Sequence, residues 1–476
     1  MEEILALLQS DPKRFVETVK AQTKKREDIE NYIKEYKDFD RNQRSQQLEA
    51  IQQDKTLEAG KVAKMVKIYL NHAQNIVETL SAFIIGKPVT LLPSENNDLA
   101  KLVKQIWRVN RLDAKILQST ILKLSETQVA MHFYIADSEK TSLLNKVLSF
   151  LGLKVQAKEI KVKVLDNSAG VMTPYFDTTG DMKLFMWEYE TVEGDKKIMN
   201  VQVWDAEKLY NLNNKTGDLI LAKNPLAHGF DKIPVVYDSQ KEPQWYQVKS
   251  PIDRHEVALS KLGDANDYSG HPILVTEGLV ENMPLKSESG KHFNIPINLG
   301  GDDGKTVIKG SVKFLEATTA PESNKLELEK LEEAISYGSS VPNLSFEKLK
   351  SLGNVAEKTV KLMFLATDIK ASLKQSETRT FVERCLNVLI SGITNTTNKG
   401  MAKDAEKLYY DIQFNSILPS DIAETVTTVS SAVSSKIMSQ RTAINILDLV
   451  EDVDEEMKLI KEESTIQEVI PPANAV

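Results

Sequence analysis

Few residues have a type and spacing that invite chemistry. Residues 300–306 read GGDDGKT, close to a phosphate loop, in which a glycine, four residues and then Gly-Lys-Thr let backbone amides cradle phosphates. The spacing is one residue short, Asp302 and Asp303 stand where phosphate oxygens belong, and the following VIKGSVKFL is strand-like where a helix is required. A hairpin turn is the expectation. The histidines, His72, His132, His228, His255, His271 and His292, form no HExxH and no pair at metal-ligand spacing. An enzymatic reading must fall back on Asp253, His255 and Glu256, yet helix neighbours one apart do not face each other. DNSAG and DTTGD lack the ligand positions of a calcium loop, and no nucleophile elbow occurs. Cys385 is the single cysteine, which excludes internal disulfides and Cys-rich zinc sites and fits a reducing cytosol. It lies in an apolar run and reads as packing. No catalytic residue, metal ligand or cofactor is expected, so a non-enzymatic role leads.

The surrounding chain has 476 residues, enough for about three domains with buried cores. Apolar residues at 41% and charged residues at 27% are ordinary globular values. Sixty Lys and Arg against 68 Asp and Glu give a net charge of −8. That argues against wrapping nucleic acid on a broad basic face, so any DNA contact must be local or loose. The opening MEEILALLQSDPKRF lacks the basic and apolar regions of a signal peptide, and no apolar run approaches the ~20 residues of a membrane span.

Residues 1–60 are helix-permissive and strongly charged, and read as an exposed arm with a solvated helical face. Ala73, Ile76, Val77, Leu80 and Phe83 form an amphipathic stripe stopped by Gly86 and Pro88, and a second helix is predicted from about Asn97 to Val109. Between about 128 and 237 the period becomes two, with turn signals at EGDK and KTGD, predicting an antiparallel sheet with one solvated face. Ser250, Pro251 and Asp253 mark a helix start, with the helix running to about Asn266. A second helix spans 321–338, and the pair brackets a small β-rich insertion. A loop follows, and Asn354 with Glu357 forms a capping box opening a long, central, buried helix over roughly 354–391. The section from Pro419 is helical, and residues 464–476 read as a disordered tail.

Several segments together resemble the portal, or head–tail connector, proteins of long-tailed bacteriophages. They are NHAQNIVETLSAFIIGKPV at 71–89, WDAEKLYNL, HGFDKIPVVYD leading into SPIDRHEVALSKLGDANDYSGHPILVTEG, and FNSILPSDIAETVTTVSSAVSSKIMSQRTAINILDLVEDVDEEMKLIKEE. The likeness covers about 71–463, and its specificity lies in the order and spacing of the segments. One departure is the helix start at Gly353-Asn354-Val355-Ala356-Glu357, where the family usually shows a Ser-Gly-x-Ala type.

The resemblance implies an α+β portal fold. Its parts are an arm at 1–60, a wing at 61–245, stem helices at 246–266 and 321–338, and a clip at 267–320. A tunnel loop at 339–353, a long kinked wing helix at 354–399 and a helical crown at 400–463 complete it. It implies a ring of about a dozen copies around a DNA channel at the unique capsid vertex, for packaging, retention and ejection of the genome. The implied partners are double-stranded DNA, the terminase large subunit, a head-completion or adaptor protein, and the scaffold and major capsid proteins, with no membrane. Clip residues Asp302, Asp303 and Lys305 are expected to meet partners, and Phe346, Lys348 and Lys350 of the loop to face DNA. The alternative is a non-conduit structural or adaptor protein of a virion.

Elementary geometry accommodates the ring. A dozen helices, each about 10 Å across, give a circumference of about 120 Å and a bore of about 28 Å, wider than duplex DNA at about 20 Å. Helix 321–338 carries Glu322, Glu327, Glu329, Glu332 and Glu333 against Lys325 and Lys330, a net of three negative charges. Facing a bore, with Glu322, Glu329 and Glu333 toward the DNA, it repels phosphates and keeps the duplex from sticking. The alternative is an ordinary solvated face.

Overall fold

The computed structural model describes residues 2–21, 26–37, 55–56, 62–63, 65–137, 158–222, 224–269, 273–277, 297–300, 306–309, 311–315, 321–343, 361–418, 422–447, 450, 453 and 456–462. They fall into two units, Met1–Asn343 with Ala366–Asn415, and Leu344–Leu365 with Ser416–Val476. Helix and sheet are mixed in an α+β architecture.

The first unit opens with three helices, α1 (Glu2–Ser10), α2 (Pro12–Lys20) and α3 (Arg26–Lys37). Asp11 starts α2 by accepting the Arg14 amide at 3.1 Å, with Pro12 at the first helical position. Short strands β1 (Lys55–Thr56) and β2 (Val62–Ala63) pair, and helix α4 (His72–Ile85) buries the stripe predicted for it. Strand β3 (Thr90–Pro93) leads to α5 (Asp98–Val109), capped by the Asn97 side chain, and α6 (Leu112–Glu126).

Two antiparallel sheets form the centre. A three-stranded one has the order β12 (Val235–Ser239), β4 (Gln128–Asp137), β5 (Lys158–Leu165). A six-stranded one contains β6 (Val171–Phe176), β7 (Met182–Glu193), β8 (Lys196–Trp204), β9 (Lys208–Asn213) and the short β10 (Ile220–Leu221) and β11 (Leu226–Ala227). The β7–β8 hairpin closes through Gly194 at φ +62, a conformation that only glycine adopts cheaply. The edge of β5 is occupied by a side chain: Asn110 accepts the Val162 amide at 3.1 Å and donates to the Ile160 carbonyl at 2.9 Å, taking the place of a neighbouring strand.

Alternation along β7 explains the core. Phe185 and Trp187 face the three-stranded sheet, in a cluster with Trp204, Ala130, Leu165 and Val235. Leu184 and Met186 point the other way and, with Val201, Val203, Tyr210 and Leu212, receive Leu8, Phe15, Val16 and Val19 of α1 and α2. This corrects two expectations. The six-stranded sheet is covered on both faces, and α1 and α2 of the supposed exposed arm are what cover the second, while α3 packs against α4 and α6. They are also fastened by charge: Lys20 pairs with the buried Glu188 at 2.8 Å and Lys37 with the fully buried Glu126 at 2.7 Å. Tyr36 stacks on Trp245, whose indole donates to Glu35 at 3.0 Å.

Beyond β12, a 3₁₀ turn at Tyr246–Val248 runs into helix α7 (Lys249–Ser269). Ser250 therefore lies inside the helix, not at its cap, because the 3₁₀ turn already supplies the entry. Strands β13 (Ile273–Glu277) and β16 (Ser311–Leu315) pair, as do β14 (Ile297–Gly300) and β15 (Thr306–Lys309). Helix α8 (Pro321–Ser339) follows, then α9 (Leu365–Gly392), preceded by a turn at Phe364 and widening into a π turn at Ile393–Thr397. The capping box at Asn354 and Glu357 and the tail 464–476 lie outside the described residues.

Helix α9 is buried most continuously in its second half, around Phe381, Val382, Cys385, Leu386 and Leu389, whereas its first half buries only single positions such as Thr367 and Ala371. Leu365, Ile369 and Leu373 of the first half are exposed, Leu373 by 71%, so the expectation of a helix buried on several faces holds for the second half, and the first half is covered on one face alone. Strand β17 (Tyr410–Gln413) pairs with β3. Residues 400–415, expected in a helical crown, thus belong to the first unit, because the β17 backbone finds its hydrogen-bond partner there. In the second unit, α10 (Ile422–Ser434) ends with Lys436 in the left-handed region, and Ser439 caps α11 (Gln440–Leu447).

Candidate functional site

Of the residues singled out by sequence, Asp253, His255 and Glu256 lie on α7 and Glu322, Glu329 and Glu333 on α8. The two helices pack antiparallel: a Cβ on Gly338 meets the Val248 side chain, and Glu332 faces His255. Helix α7 is the inner member, with Ile252, His255, Glu256, Val257 and Ser260 buried, whereas α8 buries only Ile335 and Ser339 among its described side chains.

What holds α7 on its other side is a strap that sequence reasoning missed. The amides of Val66, Ile68 and Leu70 donate to Asp264 at 2.7 Å, Ser260 at 2.9 Å and Glu256 at 2.9 Å. Acceptors four apart on a helix are about 6 Å apart along its axis, close to the repeat of two residues in an extended chain. The side chains of α7 thus serve as a ladder for the backbone of this stretch. Gly263 completes the fit, since its Cβ position lies only 3.0 Å from Val66. The available signal was Glu256-x3-Ser260-x3-Asp264, three acceptors on one helix face in a stretch otherwise read as stem.

The strap leads into His72, whose Nε2 lies 3.0 Å from His255 Nδ1, so one ring donates and the other accepts. Burial holds His255 below the usual histidine range, with Glu332 pulling the opposite way. Asp253 pairs with Lys249 at 3.4 Å. Asp253, His255 and Glu256 thus each turn to a different partner: a lysine of their own helix, an imidazole and a main-chain amide.

On α8, Glu322, Glu329 and Glu333 are all exposed, at positions 0, 7 and 11 of one helical face. The same stripe includes Leu326, 56% exposed, and Tyr337, 91% exposed. The remaining glutamates are engaged: Glu327 pairs with Arg254 of α7 at 2.5 Å, and Glu332 accepts from Asn343 at 2.9 Å. Glu333 is paired with Lys330 at 2.7 Å, which raises the Lys330 ammonium above its usual range. Of the acidic excess counted in sequence, Glu322 and Glu329 carry the part without an ion pair among the described residues. Asp302, Asp303 and Lys305 lie outside the described residues, between the antiparallel partners β14 and β15. Phe346, Lys348 and Lys350 also lie outside them.

Elsewhere, burial raises the Cys385 thiol far above its usual range, and its sulfur rests 3.9 Å from that of Met131. Among the described residues no three His, Cys, Asp or Glu are grouped to hold a metal, and no helix is long and apolar enough to cross a membrane.

A helix pair thus brackets two pairs of short strands, beside a body of two antiparallel sheets. A family model described as phage portal protein, SPP1 Gp6-like, matches residues 20–468, and the chain belongs to that family of bacteriophage head–tail connectors. Among solved structures it is similar to the neck of an empty GTA particle computed with C6 symmetry, at 12% identity and a TM-score of 0.38 over 80% of this chain and 89% of that one. It is also similar to the neck of a native GTA particle computed with C12 symmetry, at 11% identity and a TM-score of 0.39 over 80% and 90%. No curated protein matches.

Proposed function

We propose that copies of this chain close into a ring, of about a dozen subunits, whose axial channel conducts double-stranded DNA at the unique capsid vertex. The observation that carries this reading is the face of α8: one helix of a packed pair turns Glu322, Glu329 and Glu333 outward and buries almost nothing. A monomer gains little from such a helix, whereas copies arranged about an axis present a negative wall along which a duplex slides. Heterologous contacts that close on themselves make the ring. In this reading α7 and α8 are the stem, residues 267–320 the clip, 339–353 the tunnel loop, and the two sheets with α9 the wing. The crown is confined to the second unit after residue 415. The clip docks the terminase large subunit during packaging and a head-completion or adaptor protein afterwards, with Asp302, Asp303 and Lys305 in contact. Phe346, Lys348 and Lys350 touch the duplex through sequence-blind contacts. The rim meets scaffold and major capsid protein. The assembly forms in the host cytoplasm and ends in the virion, and hydrolysis is left to the separate motor.

Negative-stain imaging of the purified protein, alone and co-expressed with its scaffold, tests the reading. Rings with an axial hole wider than a duplex are expected. A defined dimer without a hole, or a ring whose hole is too narrow for DNA, overturns it.

A further inference from the structure

The whole chain is acidic, yet residues 98–115 carry Lys101, Lys104, Arg108, Arg111 and Lys115 against Asp98 and Asp113, a net of three positive charges. The fold turns most of that charge to one side. Leu99, Leu102, Val103, Ile106 and Trp107 bury the opposite face of α5, which leaves Lys101, Lys104 and Arg108 exposed along its axis. Arg111 extends the row from the left-handed residue that ends the turn, at φ +52. Lys101 pairs weakly with Asp98 at 3.3 Å, and Lys104, Arg108 and Arg111 have no ion pair among the described residues. Lys115 turns inward to the Val162 carbonyl at 2.6 Å; burial, then the charge of Arg111, holds its ammonium below the usual range.

We propose that Lys101, Lys104, Arg108 and Arg111 form a sequence-blind contact surface for the phosphate backbone of duplex DNA, separate from the channel. From Lys101 to Arg108 the helix rises roughly 10 Å. That matches three phosphate steps of one strand, at about 3.4 Å of axis each. The composition of the face selects phosphate over an acidic protein. No large apolar side chain of residues 97–126 is exposed, so the row has no core of the kind that anchors protein–protein interfaces. Long cations on a rigid helix, with nothing apolar among them, suit phosphate neutralisation. The inference depends on the portal reading only for the presence of duplex DNA.

The test uses the full chain and a closed circular duplex, which cannot thread an axial hole, in filter-binding titrations from 50 to 200 mM salt. Four phosphate contacts give a slope of log K against log salt of about −3.6, a loss of roughly 100-fold across that range. The double variant Lys104→Gln/Arg108→Gln, at exposed positions that leave the melting temperature unchanged, should bind more weakly and flatten the slope by about two. No retention of the circle at 50 mM salt, or equal affinity and slope in both proteins, overturns the proposal. Polyglutamate retained in place of the circle overturns it in favour of an acidic protein partner. Imaging the same samples separates the two readings. Rings that ignore circles sink this inference alone, and circle-binding protein that never forms a ring sinks the channel alone.

Discussion

The N-terminal helices and α8 are alike charged and amphipathic, and they meet opposite fates. In α2, Phe15, Val16 and Val19 are buried on the six-stranded sheet, and Lys20 reaches a buried glutamate. In α8, only Ile335 and Ser339 are buried, while Leu326 and Tyr337 stand in solvent beside three exposed glutamates. The difference is one of available partners. Leu184, Met186, Val201 and Val203 form an apolar sheet face that needs a cover, and α1 and α2 are that cover. Helix α8 packs on α7, and Lys370 of α9 holds its end through the Ser339 carbonyl, while its opposite stripe stays exposed. In the proposed ring, this outward stripe of α8 faces the assembly and not the chain's own core.

This contrast can be broken or sharpened by measurement. The largest effect is expected from Phe15→Ala, a cavity in a fully buried site, which should cost about 3–5 kcal/mol in urea unfolding. An exposed arm would lose nothing. Lys37→Met leaves Glu126 buried without its cation and should cost about 3 kcal/mol by the same measurement, with Glu126→Gln in the same background recovering part of it.

Acid sensitivity should also track the packed body. Burial, reinforced by Lys163 and His228, holds His132 down at about 4. The unfolded chain therefore takes up this proton first. Stability is full above about pH 6.5 and falls as pH drops toward 4, by on the order of 3 kcal/mol. His228 and His255 are also lowered and add in the same direction. Thermal melts of His132→Phe, which keeps a ring against Trp204, should show a flatter pH profile over that interval. A profile as steep as wild type would assign the acid response elsewhere.

The strap predicts a smaller effect. Ser260→Ala removes the acceptor of the Ile68 amide and should cost about 1 kcal/mol, with faster amide exchange at Ile68. The smallest effect is expected on α8. Glu329→Gln and Tyr337→Ala should change the unfolding free energy of dissociated subunits by less than about 0.5 kcal/mol. In assembled rings, Glu329→Gln should instead increase duplex retention. A large loss of monomer stability from either would place α8 in the core and break the contrast.

Much of the fold was legible in the sequence because periodicity is local. The stripe of α4 and the turn at Gly194 follow from residues within a turn or two of each other. The acidic count of α8 was legible too, but not which carboxylates stay unpaired. That depends on Arg254 reaching Glu327 and Asn343 reaching Glu332. The basic row on α5 was present in the sequence, although a whole-chain charge of −8 hid it, because net charge averages over faces that only folding separates.

By itself, the sequence determined the elements, the absence of disulfides, and the order of segments that marks the family. Tertiary structure alone decided that the N-terminal helices are core, that Glu256, Ser260 and Asp264 carry a strap, and that α9 leaves Leu365, Ile369 and Leu373 exposed along its first half. The physical reason is that a side chain's periodicity fixes which face of its own element it occupies. Whether that face is covered depends on a surface folded from residues far away in the chain.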